Sequence, residues 1–481
     1  MISPTDAAVI DVNSEALGVS VDALMDNAAA AVVNVLNNRF QGQHVAFVCG
    51  NGNNGGDGIV AASLMDPSLV SVFLLRSGMK MRSPHAENVL SSLKCDVREF
   101  SAPLLKGFDV LVDCALGTGV RGDIRSPYEE FIRSTKTFSG TIVSVDIPSG
   151  LGTNITVLPH LTVTFHDMKS GMNKDNSGEI LVSDIGIPKD AYLRVGPGDM
   201  LRYPIPENNS HKGQNGRVLV IGGGAFYGAP AMTAMAALRV GADVVRIAVP
   251  SNHAPIVSSF SPVFIVEELS GDHLCPDHLG TILKLAEKHD AVVIGPGLGQ
   301  AYYTAETVRD FVSRCTVPVV VDADGLTALG SDFNIDNTHA AIPGISVRIK
   351  GKVVLTPHSG EFIKLGGVFG EDRCAAVSEL SEKTGAVVLL KGEDDIIADG
   401  ELVKVNTTGV SAMTGAGTGD VLAGIVGGLL AKGLNGLDAA ALGAYISGKA
   451  GEAAFRKHSY GLIATDIIDK IPKVLREGLE R

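Results

Sequence analysis

The sequence predicts two α/β domains, each built on a mainly parallel sheet with helices on both faces. Three observations carry this. Short β-branched runs alternate with helical stretches along the chain. Glycine-rich loops cluster after the apolar runs. A proline-rich break near residues 203–210 is followed by a fresh start of the same alternation. At 481 residues the chain is also too long for one ordinary core.

In order, the front half opens with an Ala-rich helix at 21–40, with Ser20 placed as its N-cap. Residues 44–49, 70–75, 109–113 and 141–146 read as strands, and 87–94 and 128–136 as helices. After the break, 217–221 is a strand, 222–224 a glycine turn and 229–240 a helix. Strands follow at 243–249, 291–294, 317–322 and 386–390, and the end is helical at 420–431, 437–456 and 464–477. The expected domains are 1–205 and 206–481. Their motifs differ, so they are not repeats.

With 45% hydrophobic and 19% charged residues the chain suits a packed globular protein. A formal charge of -13 argues against nucleic acid, whose phosphates need a basic face. A phosphorylated small molecule remains compatible, because glycine loops and helix N-termini hold phosphate without many cations. The six cysteines lack CxxC spacing and read as small buried hydrophobes in a reducing compartment. Asp6, Asp11 and Glu15 argue against a signal peptide, and the longest apolar stretch, 421–431, is too short to span a bilayer. A cytoplasmic protein with no membrane partner is expected, as a homo-oligomer of unspecified size.

The densest front motif is Gly50-Asn51-Gly52-Asn53-Asn54-Gly55-Gly56-Asp57-Gly58, between a strand and a helix expected to open near Gly58. Its glycines turn the backbone tightly and aim N–H groups inward, as an anion nest requires. A plain Asn-Gly turn is the bland alternative. Asp113 closes one strand, ahead of Gly117-Thr118-Gly119-Val120-Arg121-Gly122-Asp123. Asp146 closes another, ahead of Ile147-Pro148-Ser149-Gly150. Ligands of open α/β sheets bind outside the carboxyl ends of the strands, so Asn54, Asp113, Asp146 and Ser149 converge in this reading. Their oxygens suit a hard cation. Helix capping by each Asp is the alternative.

These motifs, together with Leu24-Met25-Asp26-Asn27-Ala28, resemble the NAD(P)H-hydrate epimerases over nearly the whole front half. The resemblance implies a Rossmann-like domain that interconverts the R and S hydrates. It places the substrate on Asn53–Asp57, on Gly117–Asp123 and on Asp146, and K+ on Asn54, Asp113 and Ser149. Proton transfer at the hydrate carbon needs a carboxylate or a bound water. Asp146 is the candidate; Lys169 is a weaker one, because a lone Lys is usually solvated.

The strongest rear motif is Gly415-Ala416-Gly417-Thr418-Gly419-Asp420, a glycine loop opening a long apolar helix. Free N–H groups there stabilise charge on a transferring phosphoryl group, and a neighbouring carboxylate takes the proton of an attacking hydroxyl. A capped helix is the alternative. Four companions sit at strand ends: Lys391-Gly392-Glu393-Asp394-Asp395, Gly295-Pro296-Gly297-Leu298-Gly299, Asp322-Ala323-Asp324-Gly325 and Pro357-His358-Ser359-Gly360-Glu361.

The set resembles the ribokinase-like superfamily and, within it, the NAD(P)H-hydrate dehydratases, from His211 to about Lys470. The resemblance implies that Ala229, Gly297, Gly299, His358 and Asp420 meet the hydrate. It assigns Lys391, Gly392, Glu393, Asp394, Asp395, Gly417, Thr418 and Gly419 to the nucleotide. ADP, or ATP, with Mg2+ would phosphorylate the ring hydroxyl, and phosphate loss would restore the nicotinamide. Ser359 stands where the family usually has proline. Asp395 stands where bacterial members often have threonine, which puts direct phosphate contact by that side chain in doubt.

Two other readings stay open at this point. One is a vitamin-precursor kinase of the same superfamily fused to a nucleotide-binding module. The other is a non-catalytic nucleotide sensor. The first would release a stable phosphorylated product, and the second would turn over nothing.

Overall fold

The computed structural model describes every residue except 77, 79, 331–351 and 481. The chain divides into two units, Met1–Ala191 and Tyr192–Arg481. The expected break was 205/206. Residues 192–205 lie with the rear unit because they bond into it: Val195 N–H donates to Val405 O at 2.9 Å and Tyr203 Oη to Val240 O at 2.9 Å.

The front unit carries β1 (Val45–Cys49), β2 (Val70–Leu74), β3 (Asp96–Glu99), β4 (Val110–Cys114), β5 (Thr141–Val145), β6 (Leu161–Phe165) and β7 (Glu179–Ser183). All pair in parallel, in the order β3-β2-β1-β4-β5-β6-β7. Alternate residues of β1 enter opposite cores. Val45, Phe47 and Cys49 face one, Ala46 and Val48 the other. That is why the strands read as unbroken apolar runs. The chain order reverses between β1 and β4, which opens a crevice at their carboxyl ends.

The rear unit carries β8 (Arg217–Ile221), β9 (Val244–Pro250), β10 (Ile265–Leu269), β11 (Ala291–Ile294), β12 (Val319–Val321), β13 (Val353–Leu355), β14 (Val387–Leu390), β15 (Asp395–Asp399) and β16 (Leu402–Asn406). Their order is β10-β9-β8-β11-β12-β13-β14-β15-β16. Pairing is parallel up to β14 and antiparallel for the last two strands. The reversal between β8 and β11 makes the corresponding crevice here.

Sequence reading missed several strands. Asp96–Glu99 is exposed throughout and, apart from Val97, charged, so no apolar run marks it. The β15–β16 hairpin was passed over because acidic residues bracket its short apolar centre, Ile396-Ile397-Ala398. The helix expected near Gly58 starts at Asn53 instead, capped at Gly52. Gly55 and Gly58 of that run lie in the helix, at places where nothing larger fits. A Cβ on Gly55 would lie 1.9 Å from Gly50 O, and one on Gly58 would lie 2.5 Å from Cys114 Sγ. All six cysteines are free; Cys49, Cys114 and Cys315 are buried, whereas Cys95, Cys275 and Cys374 are half-buried. Among the described residues no helix is long and apolar enough to cross a membrane.

The helix Thr418–Ala431 packs on the helix Gly228–Arg239 by the same device. A Cβ on Gly424 would sit 2.2 Å from Thr233 O, whereas one on Gly228 would meet nothing within 4 Å. Gly424→Ala is therefore expected to cost about 1–3 kcal/mol through overpacking. Gly228→Ala should be neutral or slightly stabilising, since alanine favours helix. Chemical denaturation of both variants against the parent checks this pair of outcomes.

Candidate functional site

In the front unit, the ends of β1, β4, β5 and β6 meet around Asp113. Its buried carboxylate accepts from Ser144 Oγ at 2.8 Å, Ser149 N–H at 2.9 Å and Ser149 Oγ at 2.5 Å. Ser149 Oγ also accepts from Leu116 N–H at 2.8 Å, which ties the Gly117–Asp123 loop to the same point. Asn54 Nδ2 donates to Leu116 O at 2.9 Å. A carbonyl demands a donor, so the amide oxygen Oδ1 faces the other way. It is buried and, among the described residues, has no hydrogen-bond partner. An orphaned buried oxygen costs free energy unless something fills its lone pairs. Asn54, Asp113 and Ser149 thus come together. Beside them, the Gly117–Asp123 loop borders a cavity of about 460 Å³ lined by Arg76, Val120, Arg121 and Tyr128.

Asp146 sits just past β5 with φ 64°, a left-handed backbone that few side chains adopt. Its Oδ1 pairs with Lys169 Nζ and accepts from Phe165 N–H at 3.2 Å. Lys169 is buried, with Nζ also donating to Phe165 O at 2.8 Å and Thr164 Oγ1 at 3.1 Å. The solvated lysine expected from sequence is therefore an internal ion pair. Two more carboxyls face this pair. Burial, then the charges of Asp146 and Asp11, push the Asp57 carboxyl well above its ordinary value. Asp11 keeps solvent contact at the edge, yet the surrounding protein and Asp146 raise it to about 6. His166 is lowered to about 4 by burial and by Lys169.

In the rear unit, Gly417 takes φ 90° at the start of the Thr418–Ala431 helix, which puts Asp420 in the first turn. Burial, then the Asp322 charge, raise Asp420 to about 7, with Lys391 pulling the other way. Lys391 Nζ donates to Asp322 Oδ1 at 2.9 Å, and Thr356 Oγ1 to the same oxygen at 2.8 Å. Burial alone would lower the Lys391 ammonium, but Asp322, Glu361 and Asp420 outweigh it and raise it. Burial likewise lifts Glu361. The Gly295–Gly299 turn is clamped from two sides. A Cβ on Gly295 would lie 1.8 Å from Asp322 O, and one on Gly297 would lie 2.0 Å from Phe226 O. Gly299 N–H donates to Asp324 Oδ2 at 2.8 Å.

Not every expected residue points into this crevice. His358 caps the Ser359–Lys364 helix, its Nδ1 accepting from Gly360 N–H at 3.0 Å and Glu361 N–H at 3.3 Å. Thr418 Oγ1 donates back to Met413 O at 2.8 Å. Asp395 accepts from Asn406 Nδ2 at 3.0 Å and Gly392 N–H at 3.2 Å. It serves the β15–β16 hairpin, which accords with the doubt about its contacting phosphate. Glu393 and Asp394 are exposed, and Ala229 O accepts from Thr233 Oγ1 at 3.1 Å.

Comparison with known proteins follows this division of the chain. Residues 218–473 match the family model described as NAD(P)H-hydrate dehydratase, and residues 21–171 match the one described as YjeF-related protein N-terminus. The bifunctional NAD(P)H-hydrate repair enzyme of Methanothermobacter thermautotrophicus is 41% identical, over 99% of this chain and 96% of that one. That of Archaeoglobus fulgidus is 37% identical, over 98% of both. The chain belongs to the bifunctional NAD(P)H-hydrate repair enzymes. It is thus an isomerase and a lyase in one chain, with a front epimerase unit and a rear dehydratase unit.

Among solved structures, the dehydratase unit is similar to the ADP/ATP-dependent NAD(P)H-hydrate dehydratase of Bacillus subtilis, co-crystallised with ATP and Mg2+. The two are 26% identical with a TM-score of 0.51, over 60% of this chain and 99% of that one. A ribokinase-like superfamily protein of Enterococcus faecalis, 22% identical with a TM-score of 0.52, over 60% and 96%, shares the fold.

Sequence reasoning assigned no role to Asp11, Asp322, Asp324 or Glu361. Asp322, Asp324 and Glu361 stand in quoted strand-end motifs, and that position was the available signal. Asp11 lies on the helix Pro4–Ala16, outside every motif.

The raised Asp420 has a cost in stability. Folding lifts its pKa from the carboxylate range to about 7, so the unfolded chain ionises more readily. The penalty is absent below about pH 4, grows as pH rises and is complete above about pH 7. Asp420→Asn should therefore melt at a higher temperature than the parent at pH 8 and at the same temperature near pH 4. Scanning calorimetry at the two pH values reads the difference.

Proposed function

We propose that the epimerase unit inverts the hydrate carbon, with Asp146 taking and returning the proton of its hydroxyl. The dehydratase unit then phosphorylates only one epimer, the S form, and eliminates phosphate. The observation that carries this reading is Asp420, a carboxyl raised to about 7 in the first turn of a glycine-opened helix. A general base works best when its pKa lies near the working pH.

In the rear crevice, Asp420 takes the proton of the ring hydroxyl as its oxygen attacks the terminal phosphorus of the nucleotide. The N–H groups of residues 417–419 lie where negative charge develops on the transferring group. With ADP as donor the leaving nucleotide is AMP, and with ATP it is ADP. Phosphate then departs with the carbon–oxygen electrons while a proton leaves the neighbouring ring carbon, which restores the double bond. We assign the nucleotide to the segment from Lys391 to Asp395, through backbone and Lys391 rather than the Asp395 side chain. The hydrate is assigned to Gly297, Gly299 and the surroundings of Ala229 and His358. Among the described residues no three His, Cys, Asp or Glu side chains form a metal cage. Mg2+ accordingly belongs with the nucleotide phosphates, whose charge it screens.

In the front crevice, the substrate lies across residues 53–57, 117–123 and Asp146. The residues present fit a potassium ion, because Asn54 Oδ1 is a buried oxygen that has no hydrogen-bond partner among the described residues, and Asn54 and Ser149 both bond to Leu116, next to the Asp113–Ser149 pair. Asn54, Asp113 and Ser149 would hold the ion, and it would supply fixed positive charge near the phosphates of the substrate. The chain is further proposed to act as a cytoplasmic homo-oligomer.

Asp420→Asn should lower nucleotide-dependent dehydration by about a hundredfold or more and leave epimerisation unchanged. Asp146→Ala should repair the S hydrate at the parental rate while the R hydrate lingers. Chromatography of both epimers with excess ADP and Mg2+ reads these outcomes, and parallel runs with ATP settle the donor. Replacing K+ by Li+ should slow epimerisation alone, and Asn54→Ala should abolish that cation dependence. Equal epimerisation in both salts would remove the ion from the site.

A further inference from the structure

We propose that Lys169 is a positioning residue of the epimerase, holding the Asp146 carboxylate at the hydrate carbon by tying together the ends of β5 and β6. The proposal rests on the reading that Asp146 transfers the proton. Several observations lead to it. Lys169 is 3% exposed, and lysine is almost never buried without a partner. Its Nζ reaches across two strands. It pairs with Asp146 Oδ1, past β5, and donates to Thr164 Oγ1 and Phe165 O, at the end of β6. Both strand ends are strained: Asp146 has φ 64° and His166 φ 76°, and neither is glycine. Such backbone persists only where the surroundings over-determine it, and it clusters at functional sites.

Ile2 also pins the backbone that carries this lysine. Ile2 bridges to Lys169 in parallel, with Ile2 N–H donating to Met168 O at 2.9 Å and Ser170 N–H to Ile2 O at 2.9 Å. Met1 clamps the segment through its amino group, 2.8 Å from Asp167. The charged neighbours fit a device for holding one particular carboxylate. Asp57 comes from the Asn53–Ser63 helix, Asp11 from the Pro4–Ala16 helix, and His166 and Asp167 from the loop after β6. Of these carboxylates, that of Asp146 pairs with Nζ, which also donates to the Asp167 backbone carbonyl at 3.4 Å. A buried ion pair gains little net stability over an apolar pair of the same volume. Placement of the carboxylate is what it supplies here.

In chemical terms, Lys169 neither gives nor takes a proton in the reaction. One balanced route to epimerisation opens the ring at the hydrate carbon. The Asp146 carboxylate takes the hydroxyl proton as that oxygen becomes a carbonyl and the carbon–nitrogen bond breaks, its electron pair passing to the ring nitrogen. Closure on the other carbonyl face re-forms that bond and returns the proton to the oxygen. One oxygen of Asp146 carries the proton, and Lys169 fixes the other.

The test uses the full chain. Lys169→Gln retains donors for Thr164 and Phe165 but removes the charge; Lys169→Ala leaves a space that methylammonium fits. The expected result is a fall of about a hundredfold or more in epimerisation kcat for Lys169→Gln, with KM within about threefold of the parent. Methylammonium should restore part of the kcat of Lys169→Ala and leave Asp146→Ala unaffected. A parental kcat in Lys169→Gln, or a change confined to KM, would overturn the proposal. If Lys169→Gln does not fold, the methylammonium arm decides alone, and no rescue of a folded Lys169→Ala overturns it. The Asp146→Ala control separates the two layers. Parental epimerisation in that variant refutes the role of Asp146 itself, whereas an inactive Asp146→Ala beside a normal Lys169→Gln refutes only the positioning role.

Discussion

Each crevice is organised around a lysine withdrawn from water against an aspartate at a strand end. In the front unit the pair is Lys169 with Asp146, and in the rear unit Lys391 with Asp322. The aspartates follow corresponding strands: Asp146 follows β5 and Asp322 follows β12, each the fifth strand in the order of its sheet. Both sites also place a non-glycine residue in left-handed backbone at that strand end, Asp146 itself at φ 64° and Ala323 at φ 51°. Such conformations cost about 1–3 kcal/mol each. The surrounding sheets provide the rigidity that holds them. Every reacting group inferred above lies near one of these pairs, and its charge balance is set by it. Asp420 is the clearest case, lifted to about 7 by burial and Asp322 while Lys391 restrains the rise.

Glycine makes this crowding possible. In the front unit Gly55 and Gly58 let the Asn53–Ser63 helix press onto β1 and β4, which brings Asn54 to the Leu116 carbonyl just past β4. In the rear unit Gly424, Gly427 and Gly428 seat the Thr418–Ala431 helix against the helix Gly228–Arg239 and against Val293 of β11. The helix start, with Asp420, is thereby fixed at the end of the sheet. The high glycine count, 57 residues, thus reflects helix packing as much as loops.

The fold was legible because buried parallel strands have no polar alternation to confuse them. The runs at 45–49, 110–113, 217–221, 291–294 and 387–390 each appear as strands. What escaped were the exposed β3, the partly exposed β7 and β10, the β15–β16 pair at a sheet edge, and two buried strands: β6, whose apolar run Thr162 and Thr164 interrupt, and β13, only three residues long. The glycine-rich run at 52–58 was taken for a loop because glycine favours loops intrinsically. Tertiary packing overrode the propensity. The motif residues Asn54, Asp113 and Ser149 do converge, since strand-end position alone predicts it. Lys169 and Asp11 could not be weighted correctly, because burial of one charged residue depends on segments distant in sequence, here residues 2 and 146. His358 and Thr418 show the reverse limit. They stand in the right motifs, yet their side chains satisfy local backbone groups.

The division of labour between the two units is tested most directly by complementation. Asp420→Asn and Asp146→Ala are incubated separately and then together with mixed R and S hydrate, ADP and Mg2+, and both epimers are followed by chromatography. The account predicts that Asp420→Asn alone equilibrates the epimers without consuming them, that Asp146→Ala alone consumes S and leaves R, and that the mixture consumes both. Persistence of R in the mixture, or direct consumption of R by Asp146→Ala at the parental rate, would contradict it.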